Sequence, residues 1–285
     1  MRRLTKSDIH EIRRICPGGV SLSVDLSKFS CWGIGGIADA IVEPNSIDEL
    51  CSLRAFIAQE GLASIVIGDT SNLLFSDKGL HALCIRIGTR MSSFNFYKDY
   101  VNVQAGVWAP YFSRKVMLAG LSGAEHICGI PGTLGGLICM NGGSQRKSIG
   151  DSVVSITAVD TSGNQFVVDK ASCEFGYRTS VFQGNERVIA EARMRFLPAA
   201  DKGSVRREML LILNERNKKF PRKQPNCGSV FKSNPAMYEE IGPPGYVIER
   251  LGFKGYRIGG ALVSARHSNF FVNPALFTKV PNRAL

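Results

Sequence analysis

Six glycines fall between Gly129 and Gly143, in GIPGTLGG followed by MNGG, and this stretch limits the possible backbone paths more than any other in the chain. Glycine enters left-handed conformations freely and lets a backbone approach a neighbour closely, with its N–H groups turned outward to phosphate oxygens. Pro131 beside Gly132 suits a tight turn at a strand corner equally well. The spacing therefore leaves a structural turn and an anion-facing loop both open. It does exclude a Rossmann fingerprint, because no strand ending in G-x-G-x-x-G opens a helix here.

Around this stretch the pattern alternates between helix and strand. SIDELCSLRAFIAQEG begins with a capping box, Ser46 with Glu49, continues with apolar residues at helical spacing, and stops at Gly61. ASIVIGDTSNLLFSD then feeds a strand into a turn of small polar residues. LCIRIG, YVNVQAGV, VVSITAVD, QFVVD and RVIAEARMRF read as strands, and PYFSRKVMLAG as a helix closed by Gly120. After Pro198 the texture changes to the charged helical stretch DKGSVRREMLLILNERNKKF. Beyond it come a turn around Ser229, a second helix near Tyr246 to Leu251, and the strand-like YRIGGALVS and NFFVN. The expected class is α+β, with a boundary near Pro198.

At 285 residues the chain can bury a substantial core. The basic start MRRLTKSDIHEIRRIC lacks the apolar run of a secretory signal, and no segment approaches a membrane span of roughly 18 apolar residues. A cytoplasmic protein without membrane contact is expected. The eight cysteines stand singly, with no Cys-x-x-Cys pair and no histidine at zinc spacing, so no metal site is expected. The net charge of +11 calls for an anionic partner. Its clusters, such as RNKKFPRK at 216–223, are short and carry no stacking aromatics or RNP-like signature, which favours a phosphorylated small molecule over nucleic acid.

Two further segments carry chemistry. NCGSVFKSNP, 226–235, sets the Ser229 hydroxyl beside a glycine and three residues before Lys232. YRTSVF, 177–182, holds Arg178 between an aromatic ring and two hydroxyls, where a guanidinium can grip a carboxylate with two parallel hydrogen bonds. A loop serine and a surface ion-pair arginine remain open as structural readings. GDTSN, Gly68 to Asn72, is a second anion-facing loop, weakened by the charge of Asp69, and WGIGG adds a third glycine turn.

Taken in order, WGIGGIADAIVEP, VIGDTSNLLFSD, AGLSGAEHICGIPGTLGGLICMNGG, YRTSVFQ, QPNCGSVFKSNP and GFKGYRIGGALVSARHSNFFVN closely resemble the successive motifs of the bacterial UDP-N-acetylenolpyruvoylglucosamine reductases, the MurB family. The resemblance runs from about Phe29 to Asn273. It implies an FAD-binding domain of the vanillyl-alcohol oxidase (PCMH) type over 27–198, a smaller α+β substrate domain over 199–285, and an extension over 1–26. It also implies FAD and NADPH as cofactors, with the pyrophosphate of FAD against Gly68, Asp69, Thr70, Ser71 and Asn72 and against Gly129, Ile130, Pro131, Gly132, Gly135 and Gly136. Ser229 would be the proton donor, and Arg178 would hold the substrate carboxylate. Tyr177, Lys223 and Lys232 would bind a UDP-sugar. The implied protein is a monomer that makes a peptidoglycan precursor and so supports cell shape and division.

The family continues past NFFVN with a strand bearing a glutamate that assists protonation, whereas 250–285 contains no Asp or Glu. Two alternatives follow: a catalytically impaired flavin or nucleotide binder, and an oxidoreductase acting on another sugar nucleotide. Glu249 is the substitute carboxylate to consider.

Overall fold

The computed structural model describes residues 3–274. The last segment, 275–285, where the family pattern would continue toward its glutamate-bearing strand, lies outside the described residues. Contacts divide the chain into two compact units. The first comprises Met1–Val24, Ile37–Asp69 and Leu80–Leu213, and the second Asp25–Gly36, Thr70–Gly79 and Asn214–Leu285.

The first unit holds two larger sheets. The strands Ile37–Val42 and Ser64–Ile67 flank Leu80–Arg86, both in parallel, and Val20–Asp25 completes this four-stranded sheet. The second sheet is antiparallel throughout and has five strands, in the order Phe94–Phe96, Val101–Gln104, Val188–Met194, Val153–Val159, Gln165–Asp169. Parallel neighbours need a crossover, and the helix Ile47–Gln59 provides the one from Ile37–Val42 to Ser64–Ile67. The Ser46 side chain caps that helix by accepting from the Glu49 N–H at 3.1 Å, and Gly61 ends it at φ +61°. The other half of the expected capping box is displaced by one residue, since Glu49 accepts from the Asn45 N–H at 2.7 Å.

Arg54 on this helix is buried and is fixed by three groups: Nε donates to Asp160 O, Nη1 to Ser64 Oγ and Nη2 to Glu186 O. Ser64 opens a strand of the parallel sheet, while Asp160 and Glu186 border strands of the antiparallel one. One guanidinium thus ties both sheets to the crossover helix, because a buried charge is tolerated only with its donors satisfied. The main apolar core runs through the unit from Ile12 and Cys16 to Phe196. That core corrects the reading of 1–26 as an extension: the helix Lys6–Ile15, closed by a Thr5–Asp8 capping box, contributes Ile12 to it.

The boundary expected near Pro198 falls later, inside the helix Lys202–Lys219. Val205, Met209 and Ile212 on its first half pack with Cys128 of the first unit, which is why the division waits until Leu213. In the second unit, the expected single strand YRIGGALVS is a hairpin, Arg257–Ile258 against Ala261–Val263, with Phe271–Val272 as a third strand. Gly259, at φ +55°, and Gly260 form the two-residue turn, a position where a side chain would be strained. Trp32 Nε1 donates to Phe271 O and Asn273 Nδ2 to Trp32 O, so the WGIGG turn belongs with this C-terminal sheet.

Candidate active site

The GIPGTLGG segment is stapled to the chain that follows the strand Val101–Gln104. Leu134 N donates to Val107 O at 2.8 Å, Gly135 N to Ala105 O at 2.7 Å, and Ala109 N to Gly132 O at 3.0 Å. A Cβ on Gly135 would lie 2.7 Å from Ala105 Cβ, so no side chain fits there. Gly132 sits at φ +123°, which a larger residue adopts only with strain. The buried N–H groups of Gly132 and Thr133 find no acceptor among the described residues. An unmet buried donor is costly. Thr133 then caps the helix Leu134–Cys139 by accepting from Gly136 N at 3.3 Å.

Gly68 belongs to the same corner. A Cβ added to it would lie 2.5 Å from Thr133 Oγ1, so the GDTSN loop and the glycine loop meet there with no room for a methyl group. Asp69 is less of an obstacle to an anion than its charge suggests. Arg86 Nη2 pairs with it at 3.2 Å while Nη1 holds Glu43 at 2.7 Å. Sequence spacing offers no sign of Arg86, which lies within an ordinary strand pattern 17 residues away. Thr70, at φ +56° and buried, and then Ser71 and Asn72 continue the loop into the second unit.

Arg178 lies on the turn Gly176–Thr179, closed by Gly176 N to Thr179 O at 3.1 Å and Thr179 N to Gly176 O at 3.3 Å. Its own backbone is left-handed, φ +57°, which a non-glycine residue holds only when its surroundings enforce it. The enforcement comes from the second glycine segment. Asn141 Nδ2 donates to Gly176 O at 2.8 Å, Asn141 Oδ1 accepts from Gly150 N at 3.0 Å, and Ser180 Oγ donates to Cys139 O at 2.7 Å. Arg178 Nη2 donates to Gly143 O at 3.2 Å, and its guanidinium lies 5.6 Å from the Tyr177 ring centre. No carboxylate pairs with it among the described residues. Sequence reasoning passes over Asn141, although its place just before two glycines in MNGG is a usable signal.

Ser229 stands in the second unit, exposed, after Gly228 at φ +82°. It forms an isolated bridge with Phe270, and Asn269 fixes the next residues: Val230 N donates to Asn269 O and Phe231 N to Asn269 Oδ1. The Ser229 hydroxyl makes no hydrogen bond among the described residues, so the turn presents it without engaging it. Lys223 and Lys232 are exposed on the same unit. Glu249 is held by Lys254 Nζ at 2.8 Å, which lowers its pKa, and it makes an exposed ion pair within its unit. No group of metal-ligating side chains occurs among the described residues.

A flavin-binding oxidoreductase is the class this fold defines. The sequence model of an FAD binding domain matches 38–169, and a VAO-type flavoprotein of Myceliophthora thermophila superimposes with a TM-score of 0.52 at 13% identity, over 68% of this chain and 47% of its own. The model described as the UDP-N-acetylenolpyruvoylglucosamine reductase C-terminal domain matches 220–279. UDP-N-acetylenolpyruvoylglucosamine reductase 1 of Corynebacterium glutamicum is 42% identical over 88% of this chain and 74% of its own length. The crystal structure of the Thermus caldophilus reductase superimposes with a TM-score of 0.75 at 28% identity, covering 89% and 87% of the two chains. The chain belongs to the UDP-N-acetylenolpyruvoylglucosamine reductase family.

Proposed function

We propose that this protein reduces the enolpyruvyl group of UDP-N-acetylglucosamine enolpyruvate to the lactyl ether of UDP-N-acetylmuramate, with NADPH as reductant, as a cytoplasmic monomer supplying peptidoglycan synthesis. One observation supports this most directly: Arg178 is a half-buried arginine without a carboxylate partner among the described residues, held in a strained turn by Asn141 and Ser180. Such strain persists where a ligand uses it. The two glycine loops fit FAD, since Gly68 and Gly135 leave no room for a methyl group and the neighbouring Gly132 and Thr133 N–H groups have no acceptor among the described residues.

FAD, when bound, supplies the two-electron chemistry that carries reducing equivalents from NADPH to the methylene carbon of the substrate. The chain's own residues do the rest. Arg178 binds the substrate carboxylate and stabilises the negative charge that builds beside it, and such electrostatic stabilisation usually lowers a barrier more than any other single effect. Ser229 gives its hydroxyl proton to the carbon bearing that carboxylate. An alcohol is a weak acid at neutral pH, so this transfer needs a strongly basic carbon and an aligned donor. A hydroxyl with no competing hydrogen bond is suited to it. Tyr177, Lys223 and Lys232 bind the sugar nucleotide, and the net charge of +11 draws both anionic ligands toward the protein.

The test separates the half-reactions. Ser229→Ala is expected to keep its FAD and to be reduced by NADPH at the normal rate, but to lose substrate-dependent turnover by at least about 100-fold, the usual worth of a positioned proton donor. Unchanged turnover would remove Ser229 from the mechanism. Bound FAD without turnover in the wild-type chain would overturn the reading altogether.

A further inference from the structure

Two cysteines contact one residue of the second unit. Thr70 is buried, and its Oγ1 lies 3.6 Å from Cys31 Sγ, while its carbonyl oxygen accepts from Cys227 Sγ at 3.3 Å. The Cys227 sulfur also makes backbone hydrogen bonds with Leu73 and with Trp32, the residue that follows Cys31. Cys31 N in turn donates to Thr70 Oγ1 at 3.1 Å. Trp32 N is three bonds from the Cys31 Cβ, so a sulfur that reaches this N–H lies near the Cys31 side chain. The two side chains thus share contacts with Thr70 and with the 31–32 peptide unit, the proximity that a disulfide requires. All three segments, Asp25–Gly36, Thr70–Gly79 and the chain from Asn214, belong to one compact unit.

We propose that Cys31 and Cys227 are a thiol-oxidation site, closing to a reversible disulfide across Thr70 when hydrogen peroxide reaches the chain. The two thiols have different roles. Cys31 is exposed and meets the oxidant, whereas Cys227 is buried and resolves the product; burial pushes its thiol up to about 12, so this second step is the slower one. The Cys31 sulfur attacks one peroxide oxygen, an S–O bond forms, the O–O bond breaks, and the departing hydroxide takes a proton to leave as water. The Cys227 sulfur then attacks the Cys31 sulfenic acid. An S–S bond forms, the S–O bond breaks, and the Cys227 proton leaves with the hydroxyl as a second water. Two thiols are oxidised by two electrons in all, and one peroxide is reduced to two waters.

The bond would join the WGIGG turn to the residue two before Ser229 and fix Thr70 of the GDTSN loop between them. Substrate reduction should fall in the oxidised form. That consequence rests on the role given to Ser229, whereas the crosslink itself does not.

The flavin-loaded chain would be treated with hydrogen peroxide, alkylated, digested without reductant and read by mass spectrometry. The expected product is a peptide pair joined through Cys31 and Cys227, two hydrogens lighter than the separate peptides, reversed by dithiothreitol and missing in Cys31→Ser. Because Cys31 is exposed, this variant keeps the fold and makes the comparison valid. Oxidation of Cys31 to sulfinic acid without linkage, or a Cys31–Cys31 bond between chains, would overturn the proposal. A crosslink that leaves turnover unchanged would overturn only the proposed effect on Ser229.

Discussion

Asn141 is the most economical place to test how the Arg178 turn is held, because one short side chain serves both neighbouring segments. Asn141→Ala removes the acceptor of the buried Gly150 N–H, which costs about 1–3 kcal/mol when left unmet. It also removes the donor to Gly176 O, worth about 1 kcal/mol. Asparagine tolerates the left-handed φ of +40° better than alanine, adding about 1 kcal/mol. Together these amount to about 3–5 kcal/mol. Urea unfolding of the flavin-loaded protein should show the midpoint lowered by roughly 1 M or more. A second variant separates stability from function. Asn141→Asp keeps the oxygen facing Gly150 N–H but turns a carboxylate oxygen toward Gly176 O, so its main effect falls on the turn carrying Arg178. Its substrate KM should rise while reduction by NADPH is unchanged. The reasoning fails if Asn141→Ala unfolds within about 1 kcal/mol of the wild type, less than a single buried unmet N–H costs.

Gly68→Ala places a methyl group 2.5 Å from Thr133 Oγ1 and displaces the cap on Gly136; the purified variant should hold less flavin by absorbance and lose about 1 kcal/mol of stability from the cap. His126 gives a pH signature. It is buried, neither ring nitrogen has a hydrogen-bond partner of ordinary geometry, and burial followed by nearby Lys147 holds its pKa below the ordinary 6.5. The unfolded chain therefore binds this proton more readily than the folded one, so His126 stability is present above about pH 6.5 and lost as pH falls toward the folded pKa. Thermal unfolding across that window should show a shallower acid loss in His126→Phe, and an unchanged slope would count against the assignment.

Much of the fold was legible because it is written in local patterns. Apolar runs marked most strands of both large sheets, missing Val20–Asp25 and the short Phe94–Phe96, and the Ser46 cap and the Gly61 stop framed the crossover helix within a residue. YRIGGALVS misled because Gly259 and Gly260 interrupt an otherwise continuous apolar run, and a tight turn needs only two residues. The helix Lys6–Ile15 escaped notice as a core element since Ile12 is its only deeply buried apolar residue, with Cys16 just beyond it. Within the site, the motif residues Ser229, Arg178 and the two glycine loops were visible as residue types in a recognisable order.

The sequence by itself determined which chemistry is available: glycines that open a backbone, an arginine and a serine in short motifs, and a family resemblance that the similarity to the Corynebacterium and Thermus proteins confirms. Only the tertiary structure decided how those groups are held. Arg86 pairs with Asp69 from a strand 17 residues away, Asn141 enforces the left-handed turn under Arg178, and Thr70 contacts two cysteines 196 positions apart in the chain. The reason is physical. Propensity and periodicity act over a few residues, whereas a hydrogen bond or ion pair is set by where the packed elements place their atoms, and that placement depends on the whole core.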